Sequence, residues 1–111
     1  MELEGKKVVI PVEDMFNTHE FWYPYYRLKE AGCKVIVMGS GSAETYTGKP
    51  GTEVTVDVNA DQVSASEFDG IVIPGGYAPD KMRRYPKMVQ LVRDLHEAGK
   101  IVAAICHAGW M

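Results

Sequence analysis

Gly70-Ile71-Val72-Ile73-Pro74-Gly75-Gly76, then the stretch 86–98, then Ile101-Val102-Ala103-Ala104-Ile105-Cys106-His107 decide the fold. The two outer segments are short, continuous apolar runs rich in β-branched residues, the pattern of strands buried on both faces. Between them Val89, Val92 and Leu95 recur at helical spacing, and Met88 and Leu91 widen the stripe. Pro86 suits the first turn of that helix and Gly99 its stop. Strand, helix and strand joined by short turns form a parallel crossover unit.

The same pattern repeats toward the N-terminus. Lys7 to Val12 and Lys34 to Met38 read as core strands. Between them Asn17 or Thr18 caps a helix running to about Ala31, with Pro24 near its first turn and Gly32 at its end. Glu44 to Thr47 and Glu53 to Val58 flank Gly48-Lys49-Pro50-Gly51, which predicts a hairpin. Residues 59–68 are polar, with one helical turn, and a short helix is expected over Pro79 to Arg84. The expected architecture is α/β, a parallel sheet with helices on both faces and the hairpin as an antiparallel appendage.

Composition narrows the function classes. Hydrophobic residues make up 46% of the 111-residue chain and charged residues 24%, ordinary for one globular domain. Twelve Lys and Arg against fifteen Asp and Glu give a net charge of −3, so no nucleic-acid partner is indicated. No apolar run approaches the roughly 18 to 20 residues that span a bilayer, so no membrane partner is indicated either. The N-terminus lacks a signal-peptide pattern, and the two cysteines, Cys33 and Cys106, are expected to be reduced, which points to cytoplasm.

Sites in parallel sheets form at the carboxyl ends of strands. Three stretches fall there: Glu13 to Glu20, Pro74 to Asp80, and Cys106-His107. In Ala104-Ile105-Cys106-His107-Ala108 a strand runs directly into a nucleophile-type residue, with small residues two positions either side. A strained nucleophile elbow demands that spacing, although Gly is usual where this chain has Ala. A helix opening at Cys106 favours thiolate through its unpaired N–H groups and dipole. His107 adds a proton acceptor or an imidazolium partner. The competing reading is a buried core thiol. Gly75-Gly76 suits either an oxyanion hole or a plain loop. Glu20 is either a carboxylate facing Cys106 or a favourable charge at a helix start. Cys33 reads as an inert packed thiol, His96 as solvated and His19 as ambiguous. No Cys/His set has zinc spacing, so neither metal nor cofactor is expected.

Taken together, these residues resemble the PfpI/ThiJ family of the class I glutamine-amidotransferase-like superfamily. The resemblance runs from the first strand through Glu20 to Gly32, Thr47-Gly48-Lys49, Glu67-Phe68-Asp69, Ile73 to Asp80 and Ala104 to His107. It implies a flavodoxin-like sheet with a nucleophile elbow. It also implies Cys106 as nucleophile, Glu20 as the carboxylate that contacts its sulfur, and His107 beside it. Asp80 stands where the family's peptidase-like branch often has Glu reaching a neighbouring subunit's histidine, so a Cys106–His107–Asp80 triad would form across an interface. Gly76 and the His107 N–H match the oxyanion-hole donors. The chain departs from the pattern at Ala108-Gly109-Trp110, where Gly-Pro is frequent, and at Asn17, acidic in some members. The resemblance also implies a fold that runs on for roughly another half-length, so residues 1–111 look like the N-terminal portion of the full fold, cut just past the elbow.

The resemblance implies a cysteine-dependent intracellular hydrolase and stress protein. Its substrates would be small peptides, or methylglyoxal-type carbonyl adducts in the manner of a deglycase or glyoxalase III. A homo-oligomer, dimer or hexamer, is implied, with no cofactor. The alternative is a non-enzymatic redox sensor or chaperone using an oxidisable Cys106. An amidotransferase-like reading is weaker, because that chemistry expects a distant His–Glu pair.

Overall fold

The computed structural model describes residues 2–110, with the side chains of His107 and Trp110 outside the description. Its centre is a five-stranded parallel sheet. The strands are β1 (Lys7–Pro11), β2 (Lys34–Gly39), β5 (Val58–Asn59), β6 (Gly70–Ile73) and β7 (Ile101–Ala104), in the order β5-β2-β1-β6-β7. A separate hairpin pairs β3 (Thr45–Thr47) with β4 (Glu53–Thr55). Three helices accompany them: α1 (Thr18–Glu30), α2 (Ala78–Met82) and α3 (Pro86–Glu97). The parallel α/β, flavodoxin-like architecture therefore stands.

Chain direction explains the layers. From β1 the chain crosses through α1 to β2 on one side, while from β6 it crosses through α3 to β7 on the other. Right-handed crossovers running in opposite directions place their helices on opposite faces. Val9 and Ile10 on the central β1 are both fully buried, as a strand covered on both faces requires. Ile71 and Ile73 of β6, together with Met88, Leu91 and Leu95 of α3, belong to the same core.

Several expectations need correction. In α3 the fully buried positions are Met88, Leu91 and Leu95, with Val89 and Val92 half-buried at the margin. Pro24 lies in the second turn of α1, not the first. Its missing N–H removes one helical bond, a cost of about 3 kcal/mol in an exposed helix. Aromatic packing holds the helix regardless: Phe21 meets Phe16, Trp22 and Tyr25 at centroid distances of 5.3, 4.7 and 5.5 Å. Trp22 Nε1–H donates to Thr52 at 3.1 Å and ties α1 to the hairpin. Residues 60–62 and 65–67 form two 3-10 turns where one turn was expected, and β5 departs from the hairpin to extend the main sheet beside β2. β7 is not a buried core strand: Ile101 is 70% exposed and Ala103 and Ala104 are exposed. Among the described strands it pairs only with β6, α3 packs against it, and Val102 is its one half-buried residue. No helix among the described residues is long and apolar enough to cross a membrane.

Asn17 is the residue that starts α1. Its extended backbone (φ −73°, ψ 120°) aims the side-chain oxygen at the Glu20 N–H, 3.0 Å away. Asn17→Ala is expected to cost about 1 kcal/mol. Thermal unfolding followed by circular dichroism should show Tm lowered by roughly 4–8 °C; an unchanged Tm would reject the cap.

Candidate active site

β1 and β6 are neighbours whose following crossovers diverge, which opens a crevice at their carboxyl ends. Three chain segments enter it: α1 after β1, the Gly75-Gly76 turn after β6, and Cys106 after β7.

Cys106 has φ +55°, one of two described non-glycine residues in the left-handed region. An L-residue is costly there, and such strain persists only where surroundings impose it. The Ile105 N–H donates to Ile73 O at 3.1 Å, and the Ala108 N–H folds back onto Ile105 O at 3.0 Å. The turn is therefore pinned on both sides of the cysteine, whose residue is exposed. Ala108 is 1% exposed, in the segment that packs against α2, so a larger side chain two residues after Cys106 has no room. Ala104 is exposed, so the described neighbours impose no such demand on the other side. The helix that opens at Cys106 is a 3-10 helix, Cys106–Trp110.

Glu20 turns its carboxylate inward, where Oε1 accepts the Gly75 N–H at 2.8 Å. Asn17 already caps the helix, so helix-start charge alone does not explain this orientation. Gly75 is where Glu20 and Cys106 meet. A Cβ added there would lie 2.4 Å from Glu20 Oε1, 2.7 Å from Ile105 O and 2.8 Å from Cys106 Cβ. Next to it, Gly76 has φ +79°, and a Cβ would fall 2.6 Å from Met15 O and 2.7 Å from Asn17 N. The Asn17 N–H donates to Gly75 O and the Tyr77 N–H to Met15 O. The Gly76 N–H donates to no acceptor among the described residues, which leaves it available to an oxyanion.

The remaining candidates fall as follows. The His107 backbone continues the elbow turn, but its side chain lies outside the described residues. Asp80 sits half-buried on α2, which packs against the 106–110 turn of the same chain, and its Oδ1 is 3.5 Å from the Arg83 guanidinium. His19 and His96 are exposed. Cys33 is 5% exposed, and burial pushes its thiol above the ordinary value of 9.0. As pH rises past that ordinary value, unfolding releases the Cys33 proton more readily than the folded chain does, so stability falls with pH there and is unaffected below it. Among the described residues no three His, Cys, Asp or Glu side chains gather into a metal-holding group.

Sequence reasoning singled out Gly76 for the oxyanion, yet it is Gly75 that spaces Glu20 from Cys106. The paired glycines were the visible signal. Met15, at φ +68° beneath Gly76, gave none.

A family model described as DJ-1/PfpI family matches residues 6–111. The chain belongs to the DJ-1/PfpI family. Among curated members of the DJ-1/PfpI family, it is 44% identical over 101 residues to Deglycase PH1704 of Pyrococcus horikoshii, a match covering 91% of this chain and 60% of the relative. It is 38% identical over 104 residues to Protein/nucleic acid deglycase 2 of Escherichia coli, covering 93% and 60%. A crystal structure from Anabaena variabilis, of a two-domain protein with DJ-1/ThiJ/PfpI-like and ferritin-like domains, superposes with a TM-score of 0.89 at 48% identity. That match covers 92% of this chain and 31% of that one. The chain thus spans about 60% of the length of these curated relatives.

Proposed function

We propose that Cys106 is the nucleophile of a cysteine-dependent deglycase acting on reactive carbonyls such as methylglyoxal and its early protein adducts. The observation that carries this reading is the strained, exposed Cys106 set against the Glu20 carboxylate across Gly75. Supporting it, two relatives at 44% and 38% identity are named deglycases.

The chemistry follows from the parts. The Cys106 thiolate adds to the aldehyde carbon of methylglyoxal, and the carbonyl π pair becomes an oxyanion facing the Gly76 and His107 N–H groups. Once protonated, this hemithioacetal loses its C1 proton to Glu20, giving an enediol; Glu20 returns that proton to C2 while the hydroxyl proton on the C1 oxygen passes to the C2 oxygen. The product is a lactoyl thioester. Water cleaves the C–S bond, releasing lactate and restoring the thiol, so the net reaction is methylglyoxal plus water to lactate. In this reading His107 and Asp80 complete a proton relay within a homo-oligomer, dimer or hexamer, in the cytoplasm. No metal or organic cofactor is required.

Incubation with methylglyoxal should yield lactate in equal amount to the methylglyoxal lost, with a transient mass gain at Cys106. Cleavage of small peptides with no lactate formation would move the assignment to a peptidase. Glu20→Gln should shift the pH profile of Cys106 alkylation by iodoacetamide, because the neighbouring proton acceptor is gone; an unchanged profile rejects the Glu20–Cys106 contact. A second reading, a redox sensor, draws on the exposure of Cys106 beside that carboxylate. It predicts peroxide-dependent oxygen uptake at Cys106 without carbonyl turnover.

A further inference from the structure

Glu13 lies just past the carboxyl end of β1 and is only 5% exposed. The proposed reaction does not use it. Among the described residues no Lys, Arg or His forms an ion pair with it. A buried carboxylate without a cation is costly unless hydrogen bonds replace its water. Here donors from the following loop and from its own chain do so. The Ser40 hydroxyl donates to Oε2 in a short bond, the Ser42 hydroxyl donates to Oε2 at 3.0 Å, and the Asp14 N–H donates to Oε1 at 3.1 Å. Behind the two serines stands the fully buried Tyr46 of β3. Its hydroxyl lies 3.2 Å from Ser40 Oγ and 3.1 Å from Ser42 Oγ, and accepts the Ala43 N–H at 3.0 Å. Charge-assisted bonds of this kind are stronger than neutral ones, so the carboxylate fastens the end of β1 to the hairpin.

The residues that follow Glu13 clamp the Gly75-Gly76 turn. Asp14 Oδ1 accepts the Thr47 N–H at 3.0 Å, and the Met15 N–H donates to Thr47 O at 2.8 Å. Met15 is held there at φ +68°, a bend a glycine would carry at lower cost. Its carbonyl accepts the Tyr77 N–H at 3.0 Å, Phe16 bridges to Gly76, and the Asn17 N–H donates to Gly75 O at 3.1 Å. Both peptides of the candidate oxyanion turn are therefore set by residues 15–17. That strap is anchored at its start by Glu13, and its strained bend lies two residues beyond.

We propose that Glu13 is a positioning residue for the reaction at Cys106: its hydroxyl-bound carboxylate holds the 14–17 strap in the strained form that aims the Gly76 N–H at the oxyanion. The effect on turnover rests on the deglycase reading; the coupling of Glu13 to the turn does not. Oxyanion donors act through exact placement, so a loosened strap weakens transition-state stabilisation and leaves ground-state binding alone. The sulfur itself is not touched, because Cys106 is held by Ile73 O and by the Ala108–Ile105 bond instead.

Amide hydrogen exchange of the intact chain, followed by nuclear magnetic resonance, tests the coupling without any turnover. In Glu13→Gln the Met15, Asn17 and Tyr77 amides should exchange about tenfold faster, while Ile10 and Ile71 at the sheet centre keep their rates. Ser42→Ala removes one exposed donor and should give the same pattern at about threefold, which judges the proposal even where Glu13→Gln fails to fold. Equal acceleration at Ile10 and Ile71, or none at Asn17 and Tyr77, overturns it. The kinetic arm uses methylglyoxal. Glu13→Gln should lower kcat about tenfold with KM unchanged, and the rate of Cys106 alkylation by iodoacetamide, a displacement that forms no oxyanion, should stay within twofold of the native rate. A rise in KM at constant kcat, or a parallel loss of alkylation, would overturn the positioning role. If the native chain itself turns over no methylglyoxal, the deglycase reading fails while the exchange comparison still judges whether Glu13 holds the turn.

Discussion

Cys106→Ser is expected to remove carbonyl turnover by at least about a thousandfold, since loss of a nucleophile costs several orders of magnitude in kcat. The substitution changes one atom, and serine fits the same pinned turn. A serine hydroxyl, unlike a thiol, has almost no anion at neutral pH, so the addition step loses its attacking species. Because residue 106 is exposed, the fold should be untouched, with Tm displaced by no more than an ordinary surface change. Iodoacetamide gives the companion measurement. The native chain should take up one alkyl group, at Cys106, while Cys33 reacts only after denaturation because burial keeps its thiol protonated. Turnover that survives Cys106→Ser would remove the cysteine from the chemistry altogether.

Gly75→Ala is expected to be nearly as damaging, for a steric reason. The added methyl would meet Glu20 Oε1 at 2.4 Å, Ile105 O at 2.7 Å and Cys106 Cβ at 2.8 Å. A carboxylate can swing aside, but doing so breaks its 2.8 Å bond from the Gly75 N–H. The Ile105 carbonyl and Cys106 Cβ cannot yield without moving the elbow. A displacement of about 1 Å in a reacting group can cost a hundredfold in rate, and that is the loss expected here. Steady-state kinetics with circular dichroism would test it: a folded, fully active Gly75→Ala protein would show that the two groups do not meet at this point.

Much of this was legible in the sequence because the central strands are written as unbroken apolar runs. Val8 to Ile10 and Ile71 to Ile73 need no tertiary context to read as buried parallel strands. Cys106 and the paired glycines stood out because each falls where a strand hands over to a turn, and Glu20 because it opens the helix that follows the first strand. What stayed hidden depends on neighbours. Val58-Asn59 is too short to signal a strand, and only its pairing with Met38 and Gly39 makes it one. Pro24 reads as a helix starter until the ring contacts around Phe21 and Trp22 are known. The exposure of β7 and the left-handed backbone of Met15 follow from which segments flank them, information that composition and spacing do not hold.

The Glu20–Gly75 bond joins residues 55 positions apart, and the sheet it bridges is parallel throughout. Every pairing in such a sheet waits for a long loop to close, so the folding barrier is dominated by chain entropy, and slow assembly in the millisecond-to-second range is the norm for non-local topologies. The site has no local precursor: neither α1 alone nor the β6–α3–β7 unit contains both of its halves. Alkylation at Cys106 therefore doubles as a clock for the last stage of folding, since the Glu20 carboxylate and the pinned cysteine turn come together only when the segments that carry them have docked.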